Sequence, residues 1–339
     1  MRCLRYFLLP FALAILAHAA VAQLRQIAMV EIPGRPGFDS MAFAGNYLVI
    51  AHRGANAVDI FDPHLRRLKA QITGMSDPRG IAVDEAAERV YVANAGSNSI
   101  AVLSINDWKM SDTISLQHSP DALLLAGGRL YVANNLQDSV TIVDPEKRQE
   151  LATLNVGGRP QHMLRDPATN LIFATLEQTS QVVAFDAGQQ ITKRYQLTAS
   201  QPTGLALDAK GRRLFVAVRS AVLVLDADNG TELARVPAAA GIDDLWFDDN
   251  RQALYAAATD GSVNLIIARG DRFQSQHELQ TQVRGHSMAY DPTKKTVYLT
   301  GGREGRSKLV ILKTVDTQVA AGPASDASRA KTEITAEKK

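Results

Sequence analysis

The most regular feature of the chain is a repeating order of short apolar and polar segments. Each unit contains a short apolar strand, a polar turn, an aromatic and aliphatic strand, a loop of small residues and a third aliphatic strand. One apolar position marks each unit, and these anchor residues are Met41, Ile81, Leu123, Met163, Leu205, Leu245 and Met288. Successive anchor residues are 40, 42, 40, 42, 40 and 43 positions apart. A strand-rich period of about 40 residues is typical of propeller blades, so the pattern predicts an all-β, seven-bladed β-propeller.

The second and third strands of each unit carry different apolar patterns. Residues 91–93 and 130–132 combine an aromatic residue with aliphatic ones, which suits a packed, pleated surface. Residues 100–103 and 140–143 are nearly continuous apolar runs. Such runs are expected where both faces of a strand are buried, and neighbouring blades of a propeller provide that burial.

The fourth, outermost strand is found nine positions before each anchor residue. These positions are Ile32, Ile72, Ile114, Leu154, Gln196, Val236 and Leu279, and six of the seven are apolar. The first lies in residues 24–32, before the first complete unit, whereas the last unit stops after residues 310–312. We therefore expect the N-terminal strand to complete the last blade. This closure would remove exposed sheet edges, and we expect a monomer.

Two repeats carry a family signature. Residues 91–94 read Tyr-Val-Ala-Asn, as do residues 131–134, and both resemble the Tyr-Val-Thr-Asn signature of the YVTN-repeat seven-bladed propellers. The strand before the signature is similar as well, at residues 78–84 and 202–208. The resemblance covers residues 24 to about 314 and implies the same fold. Propellers related to this family act as lactonases, lyases or cofactor-binding oxidoreductase subunits, and His52, Leu176 and Val218 replace the signature Asn in three repeats.

The two ends of the chain differ in composition from the repeats. Residues 1–22 contain Arg2 and Arg5, an apolar run over residues 6–17 and a small-residue end, Ala20-Val21-Ala22. This layout predicts a secretory signal peptide, and hence a periplasmic or secreted protein with no membrane span after cleavage. The propeller would occupy residues 23–315. Residues 316–339 are rich in Ala, Ser, Thr, Lys and Glu, which predicts a disordered polar tail.

Cysteine content and charge exclude several classes of function. The one cysteine, Cys3, lies within the signal segment, and no Cys-x-x-Cys-His motif for covalent haem is present. Removing residues 1–22 takes away two arginines and leaves 35 basic against 35 acidic residues. This balance does not favour nucleic-acid binding. Trp108 and Trp246 are predicted to be packing residues.

Polar residues precede the anchor residues, where loops should surround one mouth of the central channel. Two positions before the anchors stand Asp39, Arg79, Asp121, Gln161, Thr203, Asp243 and His286. Loops of this face also carry arginines, namely Arg35, Arg53, Arg79, Arg159, Arg219, Arg284, Arg303 and Arg306. Lysines fall mostly in loops of the other face: Lys109, Lys147, Lys210, Lys294 and Lys295. The guanidinium group suits bidentate capture of carboxylate or phosphate. The simpler explanation is a solvated mouth in a chain with 25 arginines and 12 lysines.

Two functional hypotheses follow. The first is an exported, non-catalytic propeller that binds a small anionic ligand or a protein partner at this mouth, without a cofactor. Its expected ligand-binding residues are Arg79, Arg159, Arg284, Asp39, Asp121, His162, Asp243 and His286. The second is a metal-assisted lactonase-like hydrolase or lyase, in which a divalent cation such as calcium or magnesium is held by Asp39, Asp121, His162, Asp243 and His286.

Overall fold

The computed structural model describes residues 20–318 and consists of seven four-stranded antiparallel sheets. From the innermost strand outwards, blade 1 contains β2 Met41–Ala44, β3 Tyr47–His52, β4 Ala57–Asp62 and β5 Arg67–Thr73. Blade 2 contains β6 Pro78–Asp84, β7 Arg89–Asn94, β8 Ser99–Ser104 and β9 Met110–Ser115. Blade 3 contains β10 Leu123–Ala126, β11 Arg129–Asn134, β12 Ser139–Asp144 and β13 Gln149–Asn155, and blade 4 contains β14 Pro160–Arg165, β15 Ile172–Leu176, β16 Gln181–Phe185 and β17 Ile191–Gln196. Blade 5 contains β18 Leu205–Asp208, β19 Arg213–Val218, β20 Ala221–Asp226 and β21 Glu232–Pro237, and blade 6 contains β22 Ile242–Asp248, β23 Ala253–Ala258, β24 Ser262–Arg269 and β25 Arg272–Gln280. Blade 7 contains β26 Met288–Asp291, β27 Thr296–Arg303, β28 Arg306–Gln318 and β1 Ala20–Ile32. The predicted seven-bladed propeller is confirmed.

The ring closes through blade 7. Its outermost strand is β1, which pairs antiparallel with β28 so that Ile32 lies opposite Ser307 and Leu24 lies opposite Thr314. Leu24 and Ile32 are both buried. The prediction that the N-terminal strand completes the last blade is therefore confirmed, and the closure links residues that are almost 300 positions apart in the sequence.

Apolar side chains between neighbouring blades form the core. Three aromatic residues of the second strands, Tyr91, Phe173 and Phe215, are at most 1% exposed. Phe61 of blade 1 and Tyr298 of blade 7 belong to one buried cluster, with ring centroids 6.5 Å apart. Burying a side chain of this size stabilises a fold by about 1.5–3 kcal/mol, so packing between blades holds the ring together.

Short 3₁₀ turns join the second and third strands of the first three blades, at Arg53–Ala55, Ala95–Ser97 and Asn135–Gln137. Each turn ends in a left-handed residue, Asn56, Asn98 or Asp138, with φ of 48°, 47° and 52°. Asn and Asp tolerate this conformation better than most residues. These turns lie at the same end of the sheets as the loops that enter the innermost strands.

The chain termini extend beyond the described residues. The predicted signal segment, residues 1–22, lies outside them except for its last three residues, and β1 begins at Ala20. Strand β28 continues to Gln318, and the remainder of the predicted tail lies outside the described part. None of the helical segments within residues 20–318 has the length and hydrophobicity that a membrane crossing requires.

Candidate functional site

A small polar chamber lies where the innermost strands begin, at one mouth of the channel. Its volume is about 130 Å³. It is lined by Asp39, Asp121, His162, Asp243 and His286, together with Gln161, Thr203 and Asp244. The structure thus brings the five predicted Asp and His residues together, although each belongs to a different blade.

Backbone hydrogen bonds hold the lining residues in place. The Asp39 and Asp121 amides donate to Ala51 O and Ala133 O, at 3.1 and 2.8 Å, which fixes each lead-in segment to the second strand of its own blade. The Gly80 amide donates to Asp121 O of the next blade at 2.8 Å. A Cβ atom at Gly80 would lie 2.5 Å from that oxygen, so only glycine permits this approach of two blades.

An ion pair between Asp243 and His286 crosses the chamber wall between blades 6 and 7. The distance from His286 Nδ1 to Asp243 Oδ2 is 2.6 Å. Burial opposes charge on both groups, but their hydrogen bond and the attraction of neighbouring opposite charges together outweigh it, so the pKa of Asp243 is lowered and the pKa of His286 is raised. The pair therefore favours its charged form.

Asp39 and Asp244 behave in the opposite way. Burial, reinforced by Asp121, raises the pKa of Asp39 to about 7. Burial also raises the pKa of Asp244 to about 7, with a further contribution from Asp243. The side chain of Asp39 is 33% exposed, but this exposure is to the narrow chamber, whose protein walls limit hydration. Near neutral pH, a fraction of the Asp39 and Asp244 carboxyl groups therefore carries a proton, whereas the neighbouring Asp243 is ionised.

The chamber contains a second imidazole, that of His162. Burial lowers the pKa of His162, and the nearby Asp243 offsets this only in part. Its backbone amide donates to Thr175 Oγ1 at 3.1 Å. The chamber thus contains one imidazole that favours the charged form, His286, and one that favours the neutral form, His162.

Two of the arginines predicted at this mouth, Arg53 and Arg79, already have carboxylate partners. Arg53 Nε donates to Asp77 Oδ1 at 2.7 Å, and its guanidinium lies 3.6 Å from Asp39. Arg79 donates to the other Asp77 oxygen at 3.0 Å and also to Asp121. Asp77 therefore bridges two guanidinium groups. The donors of Arg79 that face Asp77 and Asp121 are therefore occupied by internal partners.

The other arginines predicted at this mouth fall into two groups. Carboxylates lie close to three of them, with Arg159 3.4 Å from Glu177, Arg303 3.6 Å from Glu304 and Arg306 3.3 Å from Glu31. Arg35, Arg219 and Arg284 form no side-chain ion pair within residues 20–318. Of the three arginines expected to bind the ligand, only Arg284 thus keeps an uncompensated charge.

Arg284 lines a groove beside the chamber. The groove has a volume of about 510 Å³ and shares His286 and Ser287 with the chamber. Its walls include several glycines: Gly37, Gly285, Gly301, Gly302 and Gly305. The Arg284 backbone forms two hydrogen bonds of 2.8 Å with Gly302, which fixes the position of the residue while its side chain stays exposed. The groove was not apparent from the sequence, because its walls come from loops of three blades.

Two other residues have surroundings that the sequence did not reveal. His52, which replaces the signature Asn in the first repeat, is fully buried, with its Nδ1 2.7 Å from Asp59 Oδ2. Trp246, predicted to be a packing residue, is 42% exposed, whereas Trp108 is 7% exposed as predicted. The prediction for Trp246 was wrong because the strand pattern does not distinguish a residue facing another blade from one facing the channel.

The five residues of the metal hypothesis share the chamber without forming a compact ligand set. Within residues 20–318 no group of three or more His, Cys, Asp or Glu side chains is arranged to hold a metal ion. Asp243 and His286 are paired with each other, and Asp121 with Arg79. A divalent cation coordinated by these side chains would have to compete with these pairs.

The chain folds as a seven-bladed β-propeller, and the comparisons with known proteins agree with its resemblance to YVTN-repeat and lactonase-like propellers. The family described as "Lactonase, 7-bladed beta-propeller" matches residues 40–113. The chain is also similar to the uncharacterized proteins YncE of Salmonella typhi and of Salmonella typhimurium (strain LT2), at 26% identity over 172 residues in each case. Each match covers 48% of this chain and 48% of the relative, so the chain matches about half the length of these relatives. The predicted resemblance is confirmed.

Proposed function

We propose that this protein is an exported, non-catalytic propeller that binds a small anionic molecule at the channel mouth. The observation that carries the proposal is the exposed, uncompensated Arg284 in a groove of about 510 Å³. Pockets for small molecules typically have volumes of roughly 300–1,000 Å³. Export is supported by the signal-like segment at residues 1–22, and the ligand would be a carboxylate or a phosphate, the groups that guanidinium binds best.

The neighbouring chamber adds a second cation to this site. His286 lies between groove and chamber, and the hydrogen bond to Asp243 raises its pKa despite burial. An anion at Arg284 would therefore approach a histidine that favours the charged form. This arrangement differs from the sequence-based hypothesis in one respect, because Arg79 and Arg159 have carboxylate neighbours and serve to balance charge rather than to hold the ligand.

The proposal is tested by isothermal titration calorimetry with citrate and inorganic phosphate as probes, at pH 7 and constant ionic strength. We expect saturable binding to the wild-type protein. Arg284→Ala should weaken it by about tenfold or more, because a charge-assisted hydrogen bond is lost. Arg219→Ala is the matched control, since Arg219 lies on the same face and lines neither cavity. Equal binding by the two variants would refute the site; binding of a protein but of neither anion would support the partner alternative.

The raised pKa of two carboxyl groups favours a second candidate, a lactonase-like hydrolase. Asp39 and Asp244, with pKa values of about 7, can donate or accept a proton at neutral pH. In this scheme neutral His162 accepts a proton from water as the water oxygen adds to the carbonyl carbon of a lactone, and Asp39 or Asp244 donates its proton to the carbonyl oxygen. The tetrahedral intermediate then returns that proton to the carboxylate as the carbonyl re-forms, the ring C–O bond breaks, and the leaving ring oxygen takes the proton held by His162. The family matched at residues 40–113 is described as a lactonase. A divalent cation, such as calcium or magnesium, remains the alternative source of carbonyl activation.

Hydrolysis of dihydrocoumarin, followed in a pH-stat, separates the candidates. The hydrolase hypothesis predicts turnover that falls as the pH rises through about 7, since the donor must carry its proton. Asp39→Asn should reduce the rate by about 100-fold, whereas Arg219→Ala should not. Chelator treatment that abolishes the activity would favour the metal-assisted version. No turnover, combined with anion binding, supports the binder.

A further inference from the structure

The channel changes character along its length. Residues just before the anchor residues are polar and line the chamber, whereas the residue just after each anchor is apolar. These are Ala42, Ala82, Leu124, Leu164, Ala206, Trp246 and Ala289. Trp246 is the only aromatic residue among them. The other six pack in the apolar clusters between blades, whereas Trp246 belongs to none of these clusters.

A cavity of about 620 Å³ lies at this far end. Its walls come from the innermost strands of four consecutive blades, 6, 7, 1 and 2, and include Trp246, Met41, Phe43 and Val83. The turn of Gly45 and Asn46 and the turn of Pro292 and Thr293 form its rim. Both turns lie at the opposite end of the sheets from the Asp and His chamber, so the two sites are separate.

The exposure of Trp246 is not explained by packing. The side chain is 42% exposed and belongs to none of the buried apolar clusters found within residues 20–318. The next residue, Phe247, packs on Phe215 with ring centroids 5.0 Å apart. Consecutive residues of a strand point to opposite faces, so Phe247 contributes to the core while Trp246 faces the cavity.

The charged groups of the rim are paired with each other. Lys294 Nζ lies 3.4 Å from Asp291 Oδ2, and both residues line the cavity. Glu85, close by, accepts a hydrogen bond of 2.7 Å from the Gly45 amide. With the charges compensated at the rim and the walls apolar, a charged ligand would lose hydration without gaining a partner.

We propose that this far-end cavity binds a small uncharged molecule that carries an aromatic ring, which packs against Trp246. The volume lies within the range of small-molecule pockets, whose walls are mainly apolar and aromatic. Ring-to-ring packing contributes beyond the burial of area. The site does not depend on the anion site, because the two cavities share no residue.

The test uses N-phenyl-1-naphthylamine, an uncharged aromatic probe whose emission increases in apolar surroundings. We expect saturable binding of one probe per chain to the wild-type protein. In a Trp108→Phe background, Trp246 is the only tryptophan, and its emission should be quenched in proportion to occupancy. Trp246→Ala should weaken binding by about tenfold or more, and Trp246→Phe should retain most of it.

A second variant tests the cavity without removing the ring. Ala42→Leu adds volume to the wall and should also weaken binding, and circular dichroism checks that each variant is folded. The control is Leu136→Ala, because Leu136 is 69% exposed on the other face. The proposal is overturned if the wild-type protein shows no saturable binding, or if all variants bind alike. It is also overturned if Trp246→Ala alters only the oligomeric state in size-exclusion chromatography.

Discussion

At the residue scale, surroundings outweigh residue type. Asp243 and Asp244 are adjacent in the sequence, yet their pKa values shift in opposite directions. Burial disfavours the ionised form of both carboxyl groups and so raises the pKa of each. His286 compensates Asp243 with a hydrogen bond, whereas Asp244 accepts hydrogen bonds only from backbone amides, those of Met288, at 3.0 Å, and Leu245. A neutral amide compensates a buried charge less than an imidazolium does, so Asp244 retains its proton to about pH 7.

This difference predicts how Asp244 affects stability. Its pKa is about 7 in the folded chain, against an ordinary value of 3.8. The folded state therefore binds the proton more tightly, and Asp244 lowers the free energy of unfolding progressively as the pH rises from about 4 to about 7. Asp244→Asn keeps an acceptor for the Met288 amide and removes this effect. The variant should have a higher Tm than the wild-type protein at pH 8 and a similar Tm at pH 4.

Thermal unfolding followed by circular dichroism at both pH values measures the difference. Asp271→Asn provides the control, since Asp271 lies in an exposed turn and its replacement should give no pH-dependent change. A Tm difference for Asp244→Asn of the same size at pH 4 and pH 8 would show that the substitution acts through packing and not through titration.

At the element scale, equivalent strand positions carry different polar pairs. In blade 3, Asn134 donates to Thr141 Oγ1 at 2.8 Å, seven positions further on. In blade 1 the same spacing joins His52 to Asp59, and both side chains are fully buried. The other ring nitrogen of His52 lies 2.8 Å from Arg35 O and 3.2 Å from Ser307 Oγ. His52 is longer than the equivalent Asn134, and its side chain therefore reaches from β3 to Ser307 of blade 7.

Replacing His52 and Asp59 by Asn and Thr, the pair found in blade 3, tests how much this connection contributes to stability. His52→Asn alone should lower the free energy of unfolding by about 1–3 kcal/mol, because it removes a hydrogen-bond partner from the buried Asp59 side chain. His52→Asn combined with Asp59→Thr recreates the Asn134 and Thr141 pair and should recover part of the loss. Urea unfolding of the single and double variants gives both values. An additive effect of Asp59→Thr, with no recovery, would show that the two residues are not coupled.

At the scale of the whole molecule, ring closure creates two different ends of one channel. At one end, residues from all seven blades line the chamber beside the Arg284 groove, and its Asp and His side chains come from five of them. At the other end, four blades enclose the apolar cavity around Trp246. Pairing of β1 with β28 keeps this arrangement intact, because each blade is held in place by its neighbours on both sides.

The repeat by itself determined the architecture. The spacing of Met41, Ile81 and the later anchor residues predicted the number of blades, and the unpaired first strand predicted the closure, both as found. These features depend on periodic burial, which every blade repeats and which is therefore visible in a linear pattern. The same periodicity placed Asp39, Asp121, His162, Asp243 and His286 around one mouth.

The tertiary structure alone decided which of these groups are free to act. Asp77 neutralises Arg53 and Arg79, Arg284 stays exposed, and Asp244 keeps its proton to about pH 7. Trp246 faces a cavity that no local pattern reveals. Charge compensation and exposure depend on distances of a few ångströms between side chains from different blades, and positions along the chain contain no measure of those distances until the ring is closed.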